Sequence, residues 1–210
     1  MTSIIILTIA FLTSLILKLT KTNNAKLYKY VRNCHLLFLG LTIFAILLLL
    51  NSLSFRGFLT DKLFFILFLA TGMLLFGLYR LPNKLTRSYY AFYFSIPFLL
   101  LIGLIIPRLQ FITTVAGIEM LIDGESSRYQ IDKTHLLQTS RVGVLSGSPT
   151  YSLIERKFVL FEKVTDDIVP KIGFPKSLQV TKIGNDSFRL DVLSSETYNE
   201  RLDTTICLHR

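Results

Sequence analysis

Four long apolar stretches in the first half of the chain constrain its fold more than any other feature of the sequence. None of the four, at residues 4–17, 34–55, 63–79 and 89–106, contains Asp, Glu, Lys or Arg. A transmembrane helix needs about 20 apolar residues to cross a hydrocarbon core of about 30 Å. Three stretches approach or reach that length, and the first reaches it because Lys18 can extend its ammonium group to the interface. The sequence therefore predicts four transmembrane helices, at residues 3–19, 34–55, 63–79 and 89–106.

Two other interpretations of these stretches are disfavoured by their composition and flanks. Buried helices of a soluble protein carry a polar face, and residues 41–50 have none. A cleaved signal peptide carries positive charge before its apolar run and a small-x-small site after it. Here residues 1–3 are uncharged, the basic residues follow the run, and that site is missing. We therefore expect the first stretch to be a retained helix.

The net charge of +9 divides unevenly along the chain. Lys and Arg total 23 against 14 Asp and Glu, a balance that by itself suggests a nucleic-acid partner. Residues 1–107 hold ten basic residues and one acid, whereas residues 108–210 hold thirteen of each. The second half therefore has no net attraction for nucleic acid. We expect the chain to associate with the lipid bilayer and with a protein partner or further copies of itself.

The basic residues of the first half also predict an orientation, because Lys and Arg in short loops are retained on the cytoplasmic side. The predicted loops 18–33 and 80–88 carry eight of them, whereas loop 56–62 carries two. The eight topology-determining residues are Lys18, Lys21, Lys26, Lys29, Arg32, Arg80, Lys84 and Arg87. We expect both loops to be cytoplasmic, with the N-terminus and the C-terminal half extracytoplasmic, in a plasma (bacterial inner) membrane.

The interior of the predicted spans carries no acid, lysine or arginine, and we find no ionisable group that would mark a transport path. Transporters, pumps and most channels keep such groups at membrane depth because their function needs them. Pro97 lies inside the fourth span, where its missing N–H and its ring predict a helix kink. The kink can be a gating hinge or a feature of packing, and we favour packing.

After Pro107 the pattern changes to short alternating segments separated by turn residues, which is typical of strands. Residues 109–116 are interpreted as a connection, and 158–161 as a central strand. The other predicted strands are 117–123, 128–131, 141–145, 151–156, 178–183, 188–193 and 204–208. Asp123-Gly124 is a hairpin signal between the first two of them. The predicted fold class is thus a four-helix transmembrane bundle (1–107) followed by a small antiparallel β-sandwich or β-barrel domain (108–210).

The C-terminal half offers weak candidates for chemistry. A Ser/His/Asp arrangement could combine Ser146 or Ser148 with His135 and Asp166 or Asp167, but the G-x-S-x-G motif is missing. Cys207 and His209 could form a metal pair, yet a plain terminal strand is the favoured interpretation, and the three histidines are scattered. In the predicted topology Cys34 and Cys207 lie on opposite sides of the bilayer and cannot pair. We therefore predict no catalytic, cofactor-binding or metal-binding residues.

Two functions are compatible with these features. The first is a non-enzymatic multi-pass membrane protein, an accessory or assembly subunit of an envelope complex, whose outer β-domain mediates protein interaction. The alternative is a membrane sensor or effector with a ligand-binding β-barrel. That architecture resembles the plan of nucleotide-activated antiphage effectors, and the resemblance implies a nucleotide-type signal and a cytoplasmic β-domain. A hydrolase of envelope substrates is disfavoured by the missing motifs.

Overall fold

The structure is a computed structural model that describes residues 2–57, 59–78, 83–121, 126–140, 150–165, 168, 175–183, 187–194 and 201–207. These residues contain five α-helices: α1 (Thr2–Leu19), α2 (Ala25–Leu50), α3 (Thr60–Gly77), α4 (Lys84–Ile105) and α5 (Gln110–Leu121). The first four are long and apolar enough to cross a membrane. The prediction of four helices that are long and apolar enough to span a membrane is therefore confirmed.

The second span differs from its prediction at both ends. Helix α2 begins nine residues earlier, at Ala25, because the Asn24 carboxamide oxygen accepts hydrogen bonds from the backbone N–H groups of Lys26 and Leu27 (both 3.1 Å). It ends at Leu50, so the prediction of a helix up to residue 55 is wrong. Ser52 has φ 56°, which a helix does not allow, and the apolar run continues as a strand.

The basic residues of the predicted loops lie mostly on helices. Lys18 is in the last turn of α1, with its ammonium 4.7 Å from the centre of the Phe76 ring. Lys26, Lys29 and Arg32 are in the first two turns of α2, and Lys84 and Arg87 are in the first turn of α4. Lys21 follows α1 in a turn, and Arg80 lies outside the described residues. Their role in orientation stays a prediction.

The contacts divide the chain into two compact units. The helical unit comprises Met1–Leu47 with Leu59–Asp123, and the β unit comprises Leu48–Phe58 with Gly124–Arg210. The centre of the helical unit is α3, whose side chains are buried along most of its length. Gly77 allows α1 to approach closely, since a Cβ there would lie 2.5 Å from the Ser14 carbonyl oxygen. The Ser14 hydroxyl donates to the Met73 carbonyl (2.6 Å), which joins the same two helices.

Helix α5 is a correction to the sequence interpretation. Residues 109–116 were expected to be a connection and 117–123 a strand, but Gln110–Leu121 is helical. Thr113 lies against Gly103, and Gly117 lies near Leu100, so α5 runs antiparallel along the end of α4. The many β-branched residues favour a strand by propensity, and packing against α4 overrides that preference. Asp123 and Gly124 lie outside the described residues.

The β unit contains eight described strands. They are β1 (Leu53–Phe55), β2 (Ser126–Gln130), β3 (His135–Ser140), β4 (Thr150–Arg156), β5 (Phe161–Thr165), β6 (Pro175–Lys182), β7 (Ser187–Ser194) and β8 (Arg201–Cys207). Five form an antiparallel sheet in the order β1-β5-β4-β3-β2, and three form a second sheet in the order β6-β7-β8. The larger sheet is open, with β1 and β2 at its edges, so the barrel prediction is wrong for it. The sandwich stays a prediction.

Individual strand predictions had mixed outcomes. The strands near 128–131, 151–156, 178–183, 188–193 and 204–208 are confirmed within a few residues. The predicted central strand at 158–161 is wrong, because residues 158–160 form the bend between β4 and β5. The alternation rule missed β3 altogether. The predicted strand at 141–145 lies outside the described residues.

The most consequential departure from the sequence prediction is β1, which comes from the segment between two candidate membrane-spanning helices. Its three residues pair with β5 in the register Leu53↔Lys163 to Phe55↔Phe161. The pairing extends beyond the strand, since Val164 N–H donates to the Ser52 carbonyl (2.9 Å) and Arg56 N–H donates to the Leu160 carbonyl (2.8 Å). The α2–α3 connection is therefore built into the sheet formed by the C-terminal half. If α2 and α3 span the membrane, the connection and the sheet share one side of it.

Candidate functional site

A buried histidine connects three helices of the helical unit. His35 of α2 is 1% exposed. Its Nδ1 lies 3.1 Å from Thr71 Oγ1 on α3, and its Nε2 lies 3.0 Å from the Tyr89 hydroxyl on α4. The Tyr93 hydroxyl donates to the Tyr89 hydroxyl (2.9 Å) one helical turn away. We call His35, Thr71, Tyr89 and Tyr93 the histidine cluster.

The hydroxyl groups of this cluster favour one tautomer of the imidazole. The Thr71 hydroxyl is within donating distance of two carbonyls of its own helix, those of Leu67 (2.8 Å) and Phe68 (3.0 Å). When it donates to either carbonyl, it accepts from the Nδ1–H of His35, and the Nε2 lone pair accepts from Tyr89. A neutral imidazole thus satisfies every partner, and the hydrogen bonds run in one direction from Tyr93 through His35 to α3.

Aromatic rings enclose the imidazole. His35 stacks on Phe68 with centroids 4.7 Å apart and an interplanar angle of 22°. The rings of Tyr89, Tyr90 and Tyr93 meet it edge-on at 5.6–5.8 Å. Gly72 makes room for this arrangement, since a Cβ there would lie 2.7 Å from the Tyr93 ring. The cluster can hold helices together by hydrogen bonding and stacking, and it can relay a proton along its hydroxyl chain.

This cluster overturns the interpretation that the spans hold no ionisable group. His35 was treated only as one of three scattered histidines. Its ring lies against Tyr90 and Tyr93, which are also buried. The i, i+4 spacing of Tyr89 and Tyr93 was the available signal, since it puts two hydroxyls on one helix face.

An apolar cavity of about 580 Å³ opens elsewhere in the helical unit. Residues from α1, α3, α4 and α5 line it, among them Phe11, Met73 and Pro97. Thr113 also lines it, but its hydroxyl donates to the Leu109 carbonyl of its own helix (2.6 Å). A cavity of this lining favours hydrocarbon over water. Pro97 lies inside α4, as the sequence predicts. A kink of the helix at this residue stays a prediction.

In the β unit, a buried carboxylate joins the sheet to the α2–α3 connection. Glu162 of β5 is 1% exposed and forms an ion pair with Arg128 of β2, with Oε2 3.2 Å from the guanidinium. Arg128 Nε also donates to the Gln138 carboxamide oxygen (2.9 Å). On the other side, the Gly57 N–H donates to Glu162 Oε2 (3.5 Å). Gly57 has φ 112°, which glycine tolerates and other residues rarely adopt.

The centre of the five-stranded sheet is a packed core and not an acid–base site. Leu137, Tyr151 and Ile154 are almost completely buried. Burial, assisted by repulsion from Tyr129, raises the pKa of Tyr151 to about 12. The Tyr151 hydroxyl is therefore protonated throughout the physiological range and cannot serve as a base there.

His135, the histidine proposed for a Ser/His/Asp arrangement, has a local partner. Its Nδ1 lies 3.0 Å from Asp132 Oδ1, which also accepts from the backbone N–H groups of Thr134 (2.8 Å) and His135 (2.7 Å). This arrangement closes the turn between β2 and β3. The proposed serines, Ser146 and Ser148, and the proposed acids, Asp166 and Asp167, lie outside the described residues. The catalytic arrangement therefore has no support from the described geometry.

The described part of the chain also offers few residues for cysteine or metal chemistry. Cys34 is a half-buried free thiol on α2. Cys207 ends β8, and His209 lies outside the described residues. Within the described ranges, no three His, Cys, Asp or Glu side chains come together in a way that could hold a metal ion. The chain matches no protein-family model, no curated protein and no solved structure.

Proposed function

We propose that this chain is a non-enzymatic multi-pass membrane protein, an accessory or assembly subunit of an envelope complex, whose β unit binds a protein partner. One observation carries the proposal: the five-stranded sheet is open, and both of its edge strands are joined in sequence to helices of the helical unit. Strand β1 links α2 to α3, and β2 begins at Ser126, shortly after α5 ends at Leu121. Such a tether keeps the sheet near the membrane, where an edge can accept a strand from a neighbour.

The backbone of β2 supports strand addition at this edge. Ile131 N–H donates to the His135 carbonyl (3.1 Å) at the end of the β2–β3 ladder. Because hydrogen-bonded and non-hydrogen-bonded pairs alternate, the N–H of Gln130 is directed away from β3. The Gln130 side chain is exposed. A partner strand can therefore pair with β2 at Gln130 without disturbing the sheet.

Gln130→Pro is expected to remove a copurifying partner while leaving the fold intact. Proline deletes the N–H that faces the partner, and an edge strand tolerates it where that N–H is outside the ladder. The full chain and the variant would be extracted in mild detergent, and their copurifying proteins compared by quantitative mass spectrometry.

Gln130→Ala is the matched control and should retain the partner, because alanine keeps the backbone N–H. Circular dichroism should be the same for all three proteins. A wild-type chain that purifies as a monodisperse monomer without a partner would contradict the proposed function. Equal partner recovery with Gln130→Pro would contradict the β2 edge as its site.

A second candidate function, a membrane sensor or effector responding to a nucleotide-type signal, is favoured by one observation. Strand β1 connects α2 and α3, and these helices meet at the hydrogen bond between His35 and Thr71. A ligand on the β unit would thus act on a segment continuous with both helices. A cytosolic signal requires a cytoplasmic β unit, opposite to the orientation proposed from the basic loops.

Reporter fusions distinguish these orientations. Alkaline phosphatase fused after residue 210 is expected to be active and green fluorescent protein dark, because the basic loops favour an extracytoplasmic C-terminus in a bacterial inner membrane. Fusions after Lys21, between α1 and α2, are the matched control and should give the opposite pattern. A fluorescent C-terminal fusion with inactive phosphatase would overturn the orientation and favour the sensor.

A further inference from the structure

Three consecutive apolar side chains are exposed at the tip of the β4–β5 hairpin. Phe158, Val159 and Leu160 are 75%, 78% and 62% exposed, and we call them the apolar tip. Residues 158–161 were expected to form a central strand. The side chains of residues 158–160 are exposed instead and do not pack into a core. Contiguous exposed apolar groups of this kind mark an interaction surface.

The tip has a defined backbone. Lys157 N–H and Phe158 N–H both donate to the Phe161 carbonyl (3.2 and 3.4 Å), which closes the bend. Arg56 N–H donates to the Leu160 carbonyl (2.8 Å), and an Arg56 guanidinium nitrogen lies 3.5 Å from the Val159 carbonyl. The apolar tip is therefore held from two sides, by its own hairpin and by the α2–α3 connection.

This attachment limits the distance between the tip and the start of α3. Arg56 precedes the first residue of α3, Thr60, by four residues, and a chain of that length spans at most about 14 Å. At the other end of the same segment, Ser52 follows the last residue of α2, Leu50, by two residues and pairs with Val164. Both ends of the paired segment thus lead directly into helices that can cross the bilayer.

The charges around the tip suit a lipid surface. Arg56, Arg156 and Lys157 flank it, and the Glu155 carboxylate lies 3.0 Å from the Lys157 ammonium. Basic side chains beside apolar ones are the composition that binds lipid phosphates while the apolar groups enter the acyl boundary. We propose that the apolar tip inserts into the headgroup–acyl boundary of the membrane that holds α2 and α3, as a third attachment of the β unit. This proposal does not depend on a protein partner.

The test uses the absence of tryptophan from the whole sequence. Val159→Trp gives a single tryptophan at the tip, and Lys163→Trp on β5 gives a matched exposed control. Each full-length variant is reconstituted into vesicles of phosphatidylcholine and phosphatidylglycerol, with or without lipids brominated near the headgroup. Because both leaflets carry the brominated lipid, the direction of reconstitution does not affect the readout.

For Val159→Trp we expect blue-shifted emission, protection from aqueous iodide and strong loss of emission in brominated vesicles. Lys163→Trp should emit as in water and be quenched by iodide alone. Water-like emission from Val159→Trp, or quenching by brominated lipid no greater than in the control, would overturn the proposal. Protection from iodide without quenching by brominated lipid would also overturn it, because the tip would then be covered by a second copy of the chain.

Discussion

Arg128→Met is expected to destabilise the five-stranded sheet by about 3 kcal/mol. The substitution leaves the Glu162 carboxylate, 1% exposed, without its ion-pair partner, and an uncompensated buried charge costs roughly 3–5 kcal/mol. The lower end of this energy range applies because the Arg128 side chain is 26% exposed. Water therefore reaches the arginine side of the ion pair. Hydrogen exchange of the full chain in detergent micelles would measure the effect, as a loss of protection of about 100-fold in residues 150–165.

Replacing the acidic partner of this ion pair should reduce the stability of the sheet by less. Glu162→Gln leaves a partly exposed guanidinium that can be hydrated, and the carboxamide oxygen can still accept from Gly57. Lys163→Met, at an exposed site on the same strand, is the matched control and should change stability by less than about 0.5 kcal/mol. Equal protection in Arg128→Met and Lys163→Met would show that the ion pair contributes nothing to the sheet.

His35→Ala is expected to destabilise the helical unit by between about 2 and 5 kcal/mol. The substitution removes a ring that packs against four aromatic side chains, and the loss of a large buried side chain has a cost of this size. It also removes the hydrogen-bond partners of Thr71 and Tyr89. Titration of the micelle-bound chain with sodium dodecyl sulfate, followed by circular dichroism, would measure the free energy of unfolding.

Two variants separate the causes of that effect. His35→Phe keeps a ring but loses both hydrogen bonds, and should cost about 0.6–1.7 kcal/mol, the range for hydrogen bonds between membrane helices. Leu36→Ala changes a neighbouring side chain that is exposed on the surface of α2 and should have little effect. If His35→Ala resembled Leu36→Ala, the histidine cluster would not stabilise the bundle.

The features that sequence predicted well are those that depend on local composition. Four uncharged apolar stretches correspond to α1–α4, because the length and apolarity of a stretch are sufficient to identify a membrane-spanning helix. Five strands were found where apolar and polar residues alternate between turn residues. The C-terminal end of α2 was harder to predict, because residues 53–55 continue the apolar run of the helix but pair with β5.

The candidate sites could not be predicted because their residues are distant in sequence. The histidine cluster joins positions 35, 71, 89 and 93, and pattern rules do not indicate which faces of three helices meet. The partners of buried Glu162 are Gly57, which follows β1, and Arg128 of β2, and both are far from it in sequence. Residues 158–160 were assigned to a core on apolarity alone, whereas the hairpin register leaves them in a bend.

The sequence by itself determined that the chain has four membrane-spanning candidates and a strand-rich second half, because hydrophobic length and alternation are properties of contiguous residues. Only the tertiary structure decided that the α2–α3 connection is a strand of the sheet, that α5 is helical, and that His35 is buried between α2, α3 and α4. Each of these depends on hydrogen bonds or packing between segments that are far apart in the chain. A local sequence pattern does not show which of these segments interact.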